Sequence, residues 1–313
     1  MGVDLSVDLG GLKVKNPVMV ASGTFGYGIE YSKIVDLDKL GAIVTKTITL
    51  KPKKGNPLPR ILETSSGMVN SIGLENVGLE KFVGEKLPAL RKITKTPVIV
   101  SIAGSTKEEY LKIAKVLNRT KGISAIELNI SCPNVKGKAI SQDENLTFEL
   151  VKSVRKNTDL PLIAKLSPNV TDITKIAVAS EKAGADVLSL INSLGGIIVA
   201  TKKSGHFFCG LSGPAIKPVA LRMVWDVFRA VRIPIIGIGG ITTGRDALEY
   251  MLAGAAAVGA GSGFFSNPAL MDEIYDTLND FLAKNGKSLA DITGSLNEKE
   301  QGKGTENSTE ARV

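Results

Sequence analysis

The chain has 313 residues, 43% of them hydrophobic and 22% charged, and carries a formal net charge of +8. That is enough apolar material for one large α/β barrel or two ordinary domains. No stretch reaches the roughly 18 apolar residues that a membrane helix requires, and the opening residues 1–8 are too acidic for a secretory leader, so a cytoplasmic location is expected.

Two cysteines, Cys132 and Cys209, cannot build a disulfide framework or, alone, a zinc site. With one histidine, His206, a hydrolytic triad or His-rich metal cluster is poorly served, so no metal is expected and His206 reads as a loop residue. Lys and Arg are scattered among acids and there is a single Trp, which argues against nucleic acid. A basic surface suited to anionic small molecules or an acidic partner fits better.

In chain order, residues 5–16 alternate around Gly10-Gly11 as a β-hairpin that caps one end of the fold. Residues 1–6 also match a myristoylation pattern, read as accidental because they run into this hairpin. Eight short apolar runs follow, at 17–22, 41–47, 97–104, 125–131, 161–167, 187–193, 234–240 and 256–262. Amphipathic patterns between them predict helices near 107–119, 146–157, 172–184, 217–231 and 244–253. Eight strand–helix alternations over about 250 residues predict a (β/α)8 TIM barrel with its site at the carboxyl ends of the strands. Two long gaps, 46–101 and 193–234, read as insertions over that mouth. One catalytic domain is expected over 1–296, and the polar tail 297–313 should be disordered.

The runs end in Ser22, Lys46, Ser101, Asn129, Lys165, Asn192-Ser193, Gly239-Gly240 and Gly261-Ser262, which packing alone explains badly. Glycines after strands seven and eight suit a phosphate. Lys46 and Lys165 finish apolar strands, where an ammonium needs an anion, and neither has an obvious carboxylate nearby in sequence. A ligand carboxylate or the electron-rich edge of an organic cofactor would serve. Asn70, Asn129, Asn134, Asn192 and Ser193 suit a ring with amide or imide edges. Cys132 places a thiol just beyond the fourth strand, in a glycine-containing basic loop.

All of these residues but Ser101 and Gly261-Ser262 lie in segments that resemble the class 1 dihydroorotate dehydrogenases: ASGTFGYG at 21–28, TKT at 45–47, NSIGLEN at 70–76, ELNISCPNV at 127–135, AKLSPN at 164–169, INS at 191–193, GLSGPAIKPVALRMV at 210–224 and IGIGGITTGRDALEYMLAGA at 236–255. The resemblance covers about residues 3–295, and GLSGPAIKPVAL looks like the 1B subclass. It implies an FMN-dependent barrel, one FMN per chain, that oxidises (S)-dihydroorotate to orotate in pyrimidine biosynthesis. It also implies a homodimer core and a partner subunit that carries FAD and a 2Fe-2S cluster, assembled two and two, and passes electrons to NAD.

Carried over, the family makes Cys132 the base that takes a ring proton while hydride goes to the flavin. Lys46, Asn70, Ser71, Ile72, Gly73, Leu74, Asn129, Asn134, Asn192 and Ser193 would bind substrate. Ser22, Lys46, Thr47, Ser101, Asn129, Lys165, Ile191, Gly213, Gly239, Gly240, Gly261 and Ser262 would hold FMN. Ser101 departs from a usual Asn, Cys209 from a common Gly, and Ser193 from a frequent Thr. Three alternatives stand beside this reading: a flavin-dependent dihydropyrimidine dehydrogenase, a class 1A enzyme using fumarate, and a non-redox phosphate-binding barrel lyase.

Overall fold

The computed structural model describes residues 3–131, 140–200 and 205–296. Cys132, Asn134 and the tail 297–313 therefore lie outside the described residues.

Each of the eight apolar runs contains one parallel strand: β1 (Val18–Val20), β2 (Ala42–Val44), β3 (Val98–Ile102), β4 (Ala125–Asn129), β5 (Leu162–Lys165), β6 (Val187–Leu190), β7 (Ile235–Ile238) and β8 (Ala257–Ala260). They pair in chain order, and Gly259 of β8 opposite Met19 of β1 closes the barrel. The strands are shorter than the runs, so several expected strand-end residues stand one or two positions beyond the last ladder residue. Lys46, Ser22 and Asn192 are examples.

Alternation along the strands sorts two apolar layers. Val18, Val20, Ile43, Val98, Val100, Ile126 and Leu128 face the surrounding helices. Met19, Ala42, Val44, Ile99, Ala125, Ile163, Val187 and Ile236 fill the barrel. The predicted hairpin, Val7–Leu9 with Leu12–Val14, packs Leu9, Leu12 and Val14 into that inner layer and closes its floor.

Helices Lys107–Asn118, Glu144–Arg155, Ile173–Lys182 and Gly244–Ala253 follow β3, β4, β5 and β7. Each starts where a side-chain oxygen of Thr106, Asp143, Asp172 or Thr243 accepts a free amide of the first turn, worth about 1 kcal/mol apiece. Among the described residues, no helix is long and apolar enough to cross a membrane.

The two long gaps hold more order than loops. Ile61–Thr64 and Gly67–Asn70 from the first, with Leu194–Ala200 and Gly205–Ser212 from the second, form one four-stranded antiparallel sheet. His206 is thus a strand residue paired with Val199, and the loop reading of it is corrected.

Candidate active site

Hydroxyls and amides at the strand ends form one connected chain. Ser22 donates to the Thr45 carbonyl (2.9 Å) and shares a hydrogen bond with Thr47 (3.1 Å); Thr47 in turn meets Ser101 (2.9 Å) and accepts from the Asn129 amide (3.3 Å). Asn129 Oδ1 accepts from Ser131 (2.6 Å) and from Asn192 (3.4 Å), while Tyr110 donates to its backbone carbonyl (2.9 Å). Residues from β1, β2, β3, β4 and β6 thus meet in one network at the carboxyl end of the barrel. Ile191, buried beside it, donates its amide to Ile238 (2.9 Å).

The two lysines differ. Lys46 Nζ lies 3.2 Å from Glu75, whose same oxygen is 2.6 Å from Arg60. The expectation that Lys46 lacks a protein carboxylate is therefore corrected: Glu75 lies 29 residues away in sequence and is returned by the first insertion. The hydrogen bond and charge of Lys46 hold the Glu75 carboxyl below its usual range, with Arg60 adding to the effect. Lys165, at the end of β5, is 5% exposed and has no ion pair or hydrogen bond to its ammonium among the described residues.

The 70–74 segment leaves the mouth sheet over this site. Its backbone is tight: Leu74 has φ 55 and Gly73 φ 71, a conformation costly for leucine and met most often at functional sites. Asn56 donates to both the carbonyl (3.0 Å) and hydroxyl (2.9 Å) of Ser71. Asn70 donates to the Gly210 carbonyl (3.4 Å), and a Cβ on Gly210 would lie 2.1 Å from the Ser193 hydroxyl. Glycine at 210 is what lets the mouth sheet settle against Ser193. Asn70 and Ser193, 123 positions apart in number, are thereby brought to one rim. The side-chain Oδ1 of Asn192 accepts the Ser193 backbone amide (2.8 Å).

After β7, Gly240 has φ 67, and a Cβ there would come within 2.7 Å of Lys217 Cβ and 2.9 Å of the Gly213 carbonyl. Gly213 and Gly240 are thus adjacent, and their bare backbone leaves amides open to a close ligand. Tyr250 fixes this turn by donating to the Gly239 carbonyl (2.6 Å), and burial pushes its phenol pKa up. Lys217 stands beside the turn, but its charge is taken by Asp246 and Glu249. At Gly261 a Cβ would make only ordinary contacts, with Ala21 and Thr24 at 3.5 Å, so packing does not demand glycine there. Ser262 precedes the short helix Gly263–Ser266. Among the described residues, no group of three His, Cys, Asp or Glu side chains could hold a metal ion.

Residues 4–282 match the family model described as dihydroorotate dehydrogenase. The chain is 54% identical over 300 residues, 94% of this chain and 98% of the relative, to the protein from Geotalea daltonii named dihydroorotate dehydrogenase B (NAD(+)), catalytic subunit. A protein of the same name from Geobacter sulfurreducens is 52% identical over 295 residues, covering 92% of this chain and 96% of the relative. The chain belongs to the dihydroorotate dehydrogenase family.

FMN, which this family implies, can be tested against the donor set. A buried ammonium that makes no ion pair among the described residues, a strand-end chain of hydroxyls and amides, and bare backbone at Gly239-Gly240 suit respectively the electron-rich edge of the flavin ring, its polar edge and a phosphate. The residues fit the cofactor.

Besides Glu75 and Arg60, sequence reading missed one buried group in this dihydroorotate dehydrogenase barrel. Glu127, 1% exposed in the middle of β4, accepts from Ser189 of β6 at 3.0 Å, while its other oxygen is buried without a partner. An unsatisfied oxygen of this kind costs about 1–3 kcal/mol. The signal was present: Ala125, Glu127 and Asn129 share one face of a strand, so the face that carries Asn129 to the site also carries Glu127 beneath it.

Proposed function

We propose that the chain is the FMN-bearing catalytic subunit of a 1B-type dihydroorotate dehydrogenase, oxidising (S)-dihydroorotate to orotate for UMP synthesis in the cytoplasm. It works as one domain over residues 1–296, in a homodimer core joined by a partner subunit with FAD and a 2Fe-2S cluster that hands electrons to NAD. The observation that carries this is the near full-length match to relatives named for that activity and for NAD(+), on a barrel whose mouth offers two separate cations. An anionic substrate and an electron-accepting ring each require one.

Bound FMN supplies a hydride acceptor at N5. Lys46 holds the substrate carboxylate. Asn70, Asn129, Asn134, Asn192 and Ser193 hold its imide edges, with the 70–74 backbone enclosing the ring. Cys132 Sγ accepts the ring proton; a thiol of reference pKa about 8.5 needs only a small downward shift to act near neutral pH. Ser22, Thr47, Ser101, Ile191, Gly213, Gly239, Gly240, Gly261 and Ser262 orient the cofactor, and Lys165 faces the edge where negative charge grows on reduction.

Purified protein should be yellow and bleach on mixing with dihydroorotate without oxygen. Cys132→Ala should keep the flavin and slow bleaching by 10²–10⁴-fold, the range for loss of a general base. A colourless chain that takes up no FMN would favour the lyase alternative, and faster turnover of dihydrouracil the dihydropyrimidine one. Fumarate reduction by the chain alone would mark the 1A subclass.

A further inference from the structure

Inside the barrel, the apolar layer of Met19, Val44, Ile99, Ile163, Ile236 and Ile238 is interrupted by one carboxylate, Glu127. Its Oε2 accepts from Ser189, and its Oε1 is, among the described residues, the one buried side-chain polar atom without a hydrogen bond. A charge so placed requires a partner. The ladders show where one is. Asn129 stands opposite Lys165, and Glu127 stands opposite Ile163, so Lys165 is the next inward residue toward the mouth, about 7 Å further along. Ser189, which holds the carboxylate, is itself opposite Lys165 on the other side. Glu127 and Lys165 are thus opposite charges on neighbouring strands, both buried, neither with an ion pair inside 4 Å among the described residues. Both face the space beneath the proposed cofactor.

We propose that Glu127 is a positioning residue for the reaction centre, the counter-charge of Lys165, and that the pair sets the reduction potential of the flavin held above it. This rests on the flavin reading of the site. Lys165 favours the reduced flavin because negative charge accumulates there on reduction. Glu127 offsets part of that attraction and keeps the potential low enough for electrons to move on to the next acceptor.

The test is the midpoint potential of bound FMN, followed by its absorbance during reductive titration. Glu127→Gln keeps the shape and removes the charge. The potential should rise by the equivalent of about a tenfold change in the equilibrium constant of the two-electron couple, roughly 30 mV. Glu127→Asp keeps the charge and should stay near the unaltered value. A merely structural role predicts the opposite order, because Asp loses a methylene of packing and its reach to Ser189. If Glu127→Gln does not fold, Ser189→Ala decides: it removes the one hydrogen bond that fixes the carboxylate beside Lys165, and a smaller upward shift is expected. Flavin bound at an unchanged potential in Glu127→Gln, or in Ser189→Ala where that must decide, overturns the proposal. An unaltered protein that binds no flavin takes the flavin reading down first and this inference with it.

Discussion

Lys46 is a cation with two claims on it. Glu75 holds its ammonium at 3.2 Å, and Arg60 holds the same Glu75 oxygen at 2.6 Å, so the carboxylate's charge is divided and Lys46 is left partly free for an incoming anion. Replacing Glu75 by Gln should tighten dihydroorotate binding by roughly 1 kcal/mol, about a fivefold lower KM, with little change in kcat. Arg60→Ala should raise KM, because Glu75 then turns wholly to Lys46. Steady-state kinetics of the two variants would show opposite shifts; a common direction would sink this account. The pH behaviour follows from the sign of the shift. The carboxyl is lowered by Lys46, so it stays ionised through neutrality, and the pair's contribution is lost only as pH falls through that lowered value. Between about pH 6 and 8, KM should therefore not report Glu75.

Gly240 and Gly210 join elements at places where a methyl group does not fit. Gly240→Ala combines a left-handed backbone with contact to Lys217 and Gly213, and should cost about 1–3 kcal/mol. FMN retention through gel filtration should fall with it, since the same turn offers the bare amides. Gly210→Ala should act elsewhere, pushing the mouth sheet off Ser193; flavin is kept and KM for dihydroorotate rises. Absorbance after desalting and steady-state rates separate the two outcomes. The barrel strands were legible because each is buried on both faces and reads as an apolar run between turn residues, as PVIV at 97–100 does. The mouth sheet was not. All four residues of Ile61–Thr64 are exposed, and Gly67–Asn70 begins at a glycine; neither alternates, because the first is an edge strand held only by the second, and the second is fixed by Gly210, 140 positions from Asn70. Glu75 and Arg60 were missed for the same reason: an ion pair made through an insertion leaves no local pattern. Glu127 hid inside an apolar run.

Across the whole chain, the family match ends at residue 282 and the described residues at 296. A chain cut after Leu296 should keep its flavin, melting temperature and dihydroorotate oxidation in a thermal scan and a dye-reduction assay; loss of any of these would give the tail a part in the fold or the site. Reduction of NAD, by contrast, should appear only when the partner subunit is added, and NAD reduction by the isolated chain would argue against the electron-transfer arrangement proposed above.

The mouth sheet also bears on how such a barrel can be altered. Its strands come in halves from the insertions after β2 and β6, and Gly210 opposite Asn70 stitches them. The substrate rim is therefore a two-piece module. Transplanting either insertion alone into a related barrel would leave an open sheet edge and a misplaced Ser193, whereas both exchanged together carry their own seam. Specificity in this scaffold should be transferable only as a matched pair.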